Sequence, residues 1–256
     1  MSGMPFQLTK IRQATSLDSI EYFESTESTN TSALQRIKAD STLDNVLVLT
    51  EQQNAGRGRG NHRWHADSGA LTFSLIKYFP ELRGNALASL GLVTGIAVAE
   101  ALEPWLPQSV QLKWPNDIFL HRKKLGGILI ETTQESPQTL VIGIGINVNN
   151  SLANAPFDVA SKSISITDVT DTYVPLTDVL IEILQQLENF YGQVIANTAD
   201  IPSLWNPRCM LNGNEVDFVQ GDIRFQGHCH GVQVDGALLL EIESEIRPFY
   251  SGSAVI

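Results

Sequence analysis

The stretch Gln53-Asn-Ala-Gly56-Arg57-Gly58-Arg59-Gly60-Asn61-His62-Arg63-Trp64 alternates glycine with arginine directly after a β-branched run, and the reading of the whole chain turns on it. Gly56, Gly58 and Gly60 let the backbone pass through positive φ and come close to a ligand. Arg57, Arg59 and Arg63 supply planar, permanently charged donors that match oxyanions. In chemical terms this is a loop that wraps an anion. An RGRG tract is also found as a solvated basic loop or a nucleic-acid contact. Composition weighs against nucleic acid: 28 Asp+Glu stand against 17 Lys+Arg, a formal net charge of -11. Most of such a surface repels a polyphosphate, so a local, enclosed anion site fits better.

A chain of 256 residues accommodates one large domain, or a large one with a small one. Its 43% hydrophobic and 18% charged content describes a folded globular protein rather than a disordered or coiled-coil one. Cys209 and Cys229 are too few for a disulfide framework and point to a reducing compartment. The N-terminal residues lack an apolar h-region and a small-residue cleavage site, so a cytoplasmic location is expected. The most apolar helical stretch, residues 87–102, holds Ser89, Thr94 and Glu100 and is too short and broken to span a bilayer.

Outward from the loop, residues 46–50 form a buried strand that delivers the chain into it, and residues 20–23 a shorter strand before that. Between them Ser25-Thr-Glu-Ser28-Thr29-Asn30 offers several N-caps for a helix through Leu34 and Ile37. Capping alone accounts for these hydroxyls, and so does a helix end that faces a polar ligand. After Trp64 come a strand at 70–79 and the helix at 87–102, ended by Pro104 and Pro107. Residues 110–120 read as strand, proline interruption and strand around Lys113-Trp-Pro-Asn116-Asp117, followed by Lys123-Lys124-Leu-Gly-Gly127-Ile-Leu-Ile-Glu131. A strand at 140–148 carries Gly143 and Gly145 on one face, where a backbone, a packed neighbour or a ligand approaches closely.

Residues 149–162 read as a polar loop, and 176–195 as an amphipathic helix, with a further helix carrying Leu204 and Trp205. From Asn214 the pattern becomes short alternating strands at 216–218, 223–230, 237–241, 246–249 and 253–256. The expected layout is a domain at 1–208 and a small β-barrel at 209–256. His228 and His230 share a strand face with Cys229 between them, but no second Cys/His pair completes a tetrahedral metal set by spacing. HExxH, P-loop and G-x-S-x-G motifs are absent, so a nucleotide would not be held by a P-loop.

Four segments in order, Ser28-Thr29-Asn30, Gln53-x-Ala-Gly-Arg-Gly-Arg59 to Trp64, Lys113-Trp-Pro-Asn-Asp117 with Lys124-Leu-Gly-Gly127, and Gly143-Ile-Gly-Ile-Asn147, resemble the biotin-protein ligases. The resemblance covers residues 20–149 closely, and the remainder agrees in layout with that family's C-terminal module. It implies an α+β fold: a mixed-sheet catalytic domain with flanking helices, class II synthetase-like, plus an SH3-like β-barrel. It implies activation of biotin with Mg-ATP to biotinyl-5'-AMP, then transfer to a lysine of the biotin carboxyl carrier protein of acetyl-CoA carboxylase. Catalytic roles are implied for Lys124, Arg59 and Asp117, the last orienting or deprotonating a lysine amine that is charged in water. Biotin contacts are implied for Ser28, Thr29, Asn30, Gln53, Gly56, Arg57, Arg59, Lys124 and Gly127. Adenylate contacts are implied for Arg59, Trp64, Lys113, Asn116, Lys124 and Asn147. Joining a carboxylate to an α-phosphate brings anions together, so Arg57, Arg59, Lys124 and Mg2+ are expected to offset the repulsion.

Three departures stand out. The commoner bacterial loop reads roughly GRGRRGRxW, whereas Gly60, Asn61 and His62 follow Arg59 here, one cation fewer. The short stretch before the first strand leaves no room for a winged-helix DNA-binding domain, and the chain stops at Ile256 where many relatives run on to an arginine. No DNA or membrane partner is therefore expected, while a homodimer through a strand edge stays open. The rival readings are a lipoate or octanoate ligase, whose RRxSGGGxVxHD-like loop is missing, and a non-catalytic biotin sensor, which has no use for Lys113, Lys124 and Asp117 together.

Overall fold

In the computed structural model, which describes residues 5–60, 62–80, 86–153 and 155–255, period-2 patterning organises everything around one seven-stranded sheet. The chain runs α1 (Leu8–Ala14), β1 (Ser19–Thr26), α2 (Thr29–Ala39), β2 (Val46–Gln53), β3 (Leu71–Tyr78) and α3 (Ala86–Leu102). It continues through β4 (Gln111–Lys113), β5 (Asp117–Leu120), β6 (Lys123–Glu131) and β7 (Thr139–Ile146). The helices α4 (Phe157–Ala160), α5 (Ile166–Thr170), α6 (Leu176–Ile195) and α7 (Ile201–Trp205) follow. The last part is β8 (Glu215–Gln220), β9 (Ile223–Val232), β10 (Leu238–Ile242), β11 (Glu245–Phe249) and β12 (Ser253–Val255). Asn61 and Ile256, both in stretches singled out above, lie outside the described residues. Among the described residues no helix is long and apolar enough to cross a membrane.

The sheet order is β1-β2-β3-β7-β6-β5-β4, with β1 and β2 parallel and every other neighbour antiparallel, the mixed sheet expected from the sequence. Alternate residues separate its two faces. Leu47, Leu49, Phe73, Leu75, Ile142, Ile144 and Ile118 point into the large core under α3 and α6. Val46, Val48, Ile76 and Val141 point to the other side, where Ala33 and Ile37 of α2 cover them in a second, smaller core. Because α2 is short, it covers only one end of that face. The remainder of the face is left for the site.

α3 is apolar nearly all round because it lies between the sheet and α6; the Thr94 hydroxyl donates to Leu90 O and meets the Tyr191 hydroxyl at 2.8 Å. Gly95 leaves room for the Trp205 ring, which a Cβ there would meet at 3.0 Å. The sequence reading assigned no helix at residues 8–14 and treated 149–162 wholly as loop, whereas α1 and the four-residue α4 occupy parts of these stretches. α1 carries one buried residue, Ile11, and is held by packing on α6, where Gln7 N–H donates to Thr177 Oγ1 and Lys10 pairs with Asp178. A tertiary dock of this kind leaves no strong local pattern.

The C-terminal strands form a second antiparallel sheet ordered β11-β10-β9-β8-β12. Its apolar side, with Phe218, Phe249, Val216 and Leu240, joins the large core. Trp114 spans the junction: its indole N–H donates to Gly236 O at 3.1 Å and its ring lies 5.9 Å from that of Phe218. Trp205 is fully buried at the same junction. Trp205→Ala is expected to cost about 3–5 kcal/mol, and the shared core predicts one cooperative transition with wild-type m-value in urea. Two resolved transitions would show that the sheets unfold independently.

Candidate functional site

The strand registers place the site residues in a row across the uncovered face. Thr50 pairs with Thr72, Thr72 with Gly145, Gly145 with Gly127, Gly127 with Asp117, and Asp117 with Lys113. Directly opposed residues of a sheet share a face, so four segments far apart in sequence converge on one line. A parallel row beside it runs Ser74–Gly143–Leu129. A cavity of about 690 Å³ lies over these rows.

Lys124 reaches the cavity through a β-bulge. Ile118 pairs with Gly126 but Phe119 pairs with Lys124, so Leu125 is the extra residue in β6. Simple alternation from Gly127 would turn Leu125 to the cavity and Lys124 to the core. With the bulge, Leu125 is fully buried in the core and Lys124 faces the site, its Nζ donating to Asp117 Oδ1 at 2.5 Å. Lys113 is half-buried on the same face, with Nζ 5.8 Å from the Phe119 ring centroid. Its pKa is lowered from the ordinary lysine value, chiefly because burial strips water from the ammonium; Asp117 opposes that effect and Lys124 adds to it.

The Gly/Arg stretch folds as a small hairpin. Gln53 bridges Ala66 and Arg57 bridges Arg63, while Gly58 N–H donates to His62 O and Trp64 N–H to Gly56 O. Gly60, at φ +62°, turns its tip. Arg59 Nη1 donates to Gly252 O at 2.8 Å, tying the hairpin to the small β domain, whose Val219, Gly221, Gly252, Ser253 and Ala254 form one wall of the cavity. Trp64 lies flat in the space left by Gly145, where a Cβ would stand 2.5 Å from the indole. The buried Trp64 Nε1 and, on the sheet face, Thr72 Oγ1 have no hydrogen-bond partner among the described residues.

The Ser28-Thr29-Asn30 segment does not serve as a cap. Ser28 occupies the N-cap position of α2 without a side-chain cap bond and lines the cavity instead. Thr29 N–H donates to Gln53 Oε1 at 2.7 Å, and Thr29 Oγ1 lies 3.2 Å from the same oxygen. Asn30 Nδ2 donates to Leu129 O and to Glu131 Oε2, and its Oδ1 is 2.6 Å from Ser74 Oγ. Its amide fills the space above Gly143, where a Cβ would lie 2.0 Å from Asn30 Oδ1.

Ser28, Thr29, Asn30, Gln53, Arg57, Arg59, Trp64, Lys113, Asn116, Asp117, Lys124 and Gly127 all line this cavity. Two expected site residues do not. Gly56 is buried under the Trp64 carbonyl, which a Cβ would meet at 2.4 Å, and Asn147 is buried behind the wall with its Oδ1 accepting from Asn150. Both support the wall from outside it. Arg57 also differs from expectation: both its Nη atoms are bound to Glu131, at 2.9 and 2.6 Å. Asn116 donates its amide to Ile128 O, which locks the turn after Lys113. Ser74 and Glu131 were missed in the sequence because one reads as a polar break in an apolar strand and the other as a strand end. Among the described residues no group of three metal-ligating side chains converges; His228 and His230 pair with Glu215 and Glu241.

Fold and site together define a protein with a cleft on one sheet face, polar where Thr29, Asn30 and Gln53 line it and cationic where Arg59, Lys113 and Lys124 do. The model of the biotin/lipoate A/B protein ligase family matches residues 22–149, and the chain belongs to that family. It is 31% identical over 235 residues to the biotin–acetyl-CoA-carboxylase ligase of Mycobacterium tuberculosis, covering 90% of this chain and 86% of that protein. It is 28% identical over 211 residues to the bifunctional ligase/repressor BirA of Bacillus spizizenii, covering 81% of this chain but only 65% of the relative's length. Among solved structures, the biotin protein ligase of Aquifex aeolicus in complex with biotin and ATP superposes with TM-score 0.81 at 25% identity, over 93% of this chain and 98% of that one.

Proposed function

We propose that this protein joins biotin to ATP as biotinyl-5'-AMP and then transfers biotin to a lysine of a biotin carboxyl carrier protein of acetyl-CoA carboxylase. The observation that carries this reading is the Lys113–Asp117–Lys124 group on the open sheet face, beside the polar floor built by Thr29, Asn30 and Gln53 and beneath Arg59. In the first step a biotin carboxylate oxygen attacks the α-phosphorus, the bond to the β-phosphate breaks, and pyrophosphate leaves. Arg59, Lys113 and Lys124 offset the charge that gathers there. In the second step a lysine amine attacks the acyl carbon and AMP leaves; Asp117, already the acceptor of a Lys124 hydrogen bond, takes the amine proton. The protein's own donors do not fit a resident magnesium site: Asp117, the one carboxylate lining the cavity among the described residues, is bound to Lys124. Mg2+ belongs to the Mg-ATP substrate in this reading. A cytoplasmic setting follows from the substrates proposed, and a homodimer would use β1, since residues 208–210 already bond the outer side of β4 through Leu112.

Pyrophosphate–ATP exchange tests the reading, with biotin, lipoate and octanoate supplied in parallel. Exchange that depends on biotin alone is expected. Exchange only with lipoate or octanoate would move the chain to the other branch of the family, and none with any acid would leave a binding protein. Arg59→Ala, which removes the hairpin's bond to Gly252, is expected to release preformed biotinyl-5'-AMP roughly tenfold faster or more, as the loss of one charge-assisted contact implies. Unchanged release in a rapid-dilution assay would show that Arg59 does not retain the adenylate.

Lys113 gives the site a pH dependence. Its lowered pKa means that it loses its charge at a pH where an exposed lysine is still protonated. ATP affinity is therefore expected to be full below that pKa and to weaken as pH rises through it, and ATP binding should be accompanied by proton uptake. Lys113→Arg, which stays charged, should remove this alkaline limb; a limb that persists in the variant assigns it to another group.

A further inference from the structure

Six side chains form a continuous belt of hydrogen bonds under the cavity. It starts at Gln53, whose Oε1 accepts from Thr29; Thr29 Oγ1 is 2.7 Å from Ser74 Oγ, and Ser74 Oγ is 2.6 Å from Asn30 Oδ1. Asn30 Nδ2 donates to Glu131 Oε2 at 2.8 Å, and Glu131 closes the belt on Arg57 through two bonds. Gln53 and Arg57 lie on the same side of the Gly/Arg hairpin, four residues apart. The belt therefore grips the hairpin at two points and fixes the backbone between them against β3 and β6.

We propose that Glu131 is a positioning residue of the active site, and that Arg57 acts through it rather than as a cation on the ligand's anion. An arginine whose two Nη atoms are satisfied by one carboxylate at 2.6 and 2.9 Å is neutralised and held in a planar fork. Glu131 in turn cannot follow Arg57 toward a ligand without dropping Asn30, whose amide is fixed in the space above Gly143. Cations are thereby divided between two tasks: Arg57 sets the hairpin, while Arg59, Lys113 and Lys124 face the anion. Glu131 is absent from the cavity lining, so its effect on a ligand passes through the residues it holds.

The test has two arms, and only the second rests on the proposed ligase activity. Limited trypsin digestion of the unliganded protein reads cleavage after Arg59 and Arg63. Glu131→Gln is expected to speed that cleavage roughly tenfold, the size of one bidentate charge-assisted pair. In biotin-dependent pyrophosphate exchange, Arg57→Ala, Glu131→Ala and the double variant are expected to show equal losses, expressed mainly in the KM for biotin, and the swap Arg57→Glu/Glu131→Arg should recover part of the activity. Unchanged cleavage in Glu131→Gln would overturn the clamp. A loss in Arg57→Ala far exceeding that in Glu131→Ala, or losses that add in the double variant, would overturn the division of roles by placing Arg57 on the ligand. Faster cleavage without any wild-type exchange would leave the clamp standing and sink the ligase reading instead.

Discussion

Lys124→Ala should lower biotin-dependent pyrophosphate exchange about 10²–10³-fold, the loss typical of removing one preorganised donor from a developing charge, with little change in stability. The bulge at Leu125 inserts one extra residue into β6 and so turns Lys124 from the core to the cavity, beside Asp117 and on the same face as Lys113. The pair it forms with Asp117 is partly exposed, 36% and 25% by side chain, so removing it should move the thermal midpoint only slightly. Lys124→Arg should not restore the rate, because a branched fork cannot occupy the position of a compact ammonium 2.5 Å from Asp117. Exchange at the wild-type rate in Lys124→Ala, with the fold intact by circular dichroism, would remove Lys124 from the reaction.

The strands of the large sheet were legible because each is buried on one face or both, and β-branched runs such as Val46–Gln53 carry that information locally. The helix α6 was legible for the same reason at its own period, and α3 as one long apolar run with small residues. α1 and α4 were not, since helices of seven and four residues gain their order from what they dock on. The order of strands was beyond local reading too: nothing in β7 itself says that it lies between β3 and β6.

The site was legible to the extent that its residues sit in motifs. Glycine next to arginine announces an anion loop, and Lys-Trp-Pro-Asn-Asp a charged turn. What binds these motifs to one another is register, and register is a property of pairs of strands. The bulge that turns Lys124 inward leaves no mark in Lys-Lys-Leu-Gly-Gly. Ser74 and Glu131 matter through partners 44 and 74 residues away, Asn30 and Arg57. Gly56 and Asn147, in contrast, stand within motifs yet lie behind the wall, because a motif includes the residues that shape a turn as well as those that face its ligand.

Gly143→Ala is expected to be nearly as damaging as the loss of Lys124, by a different route. A Cβ on Gly143 would stand 2.0 Å from Asn30 Oδ1 and 2.8 Å from its carboxamide carbon, distances that no side chain tolerates. Asn30 is the end of this contact that can yield, being a side chain where β7 is a central strand paired on both sides. To yield, it must give up Leu129 O, Glu131 and Ser74 together, which leaves polar groups unpaired in a buried place. Stability should fall by about 1–3 kcal/mol, as for other overpacked core positions, and biotin-dependent exchange by roughly 10²-fold because the floor under the ligand is displaced. The double variant Asn30→Ala/Gly143→Ala separates the two effects. Removing the amide relieves the clash but leaves Leu129 O, Glu131 and Ser74 without it, so the thermal midpoint should return part of the way, while exchange should stay low because the belt is still broken. Recovery of both would mean that Gly143 is required only for packing, and wild-type exchange in Gly143→Ala itself would show that Asn30 can leave the belt without cost to the reaction.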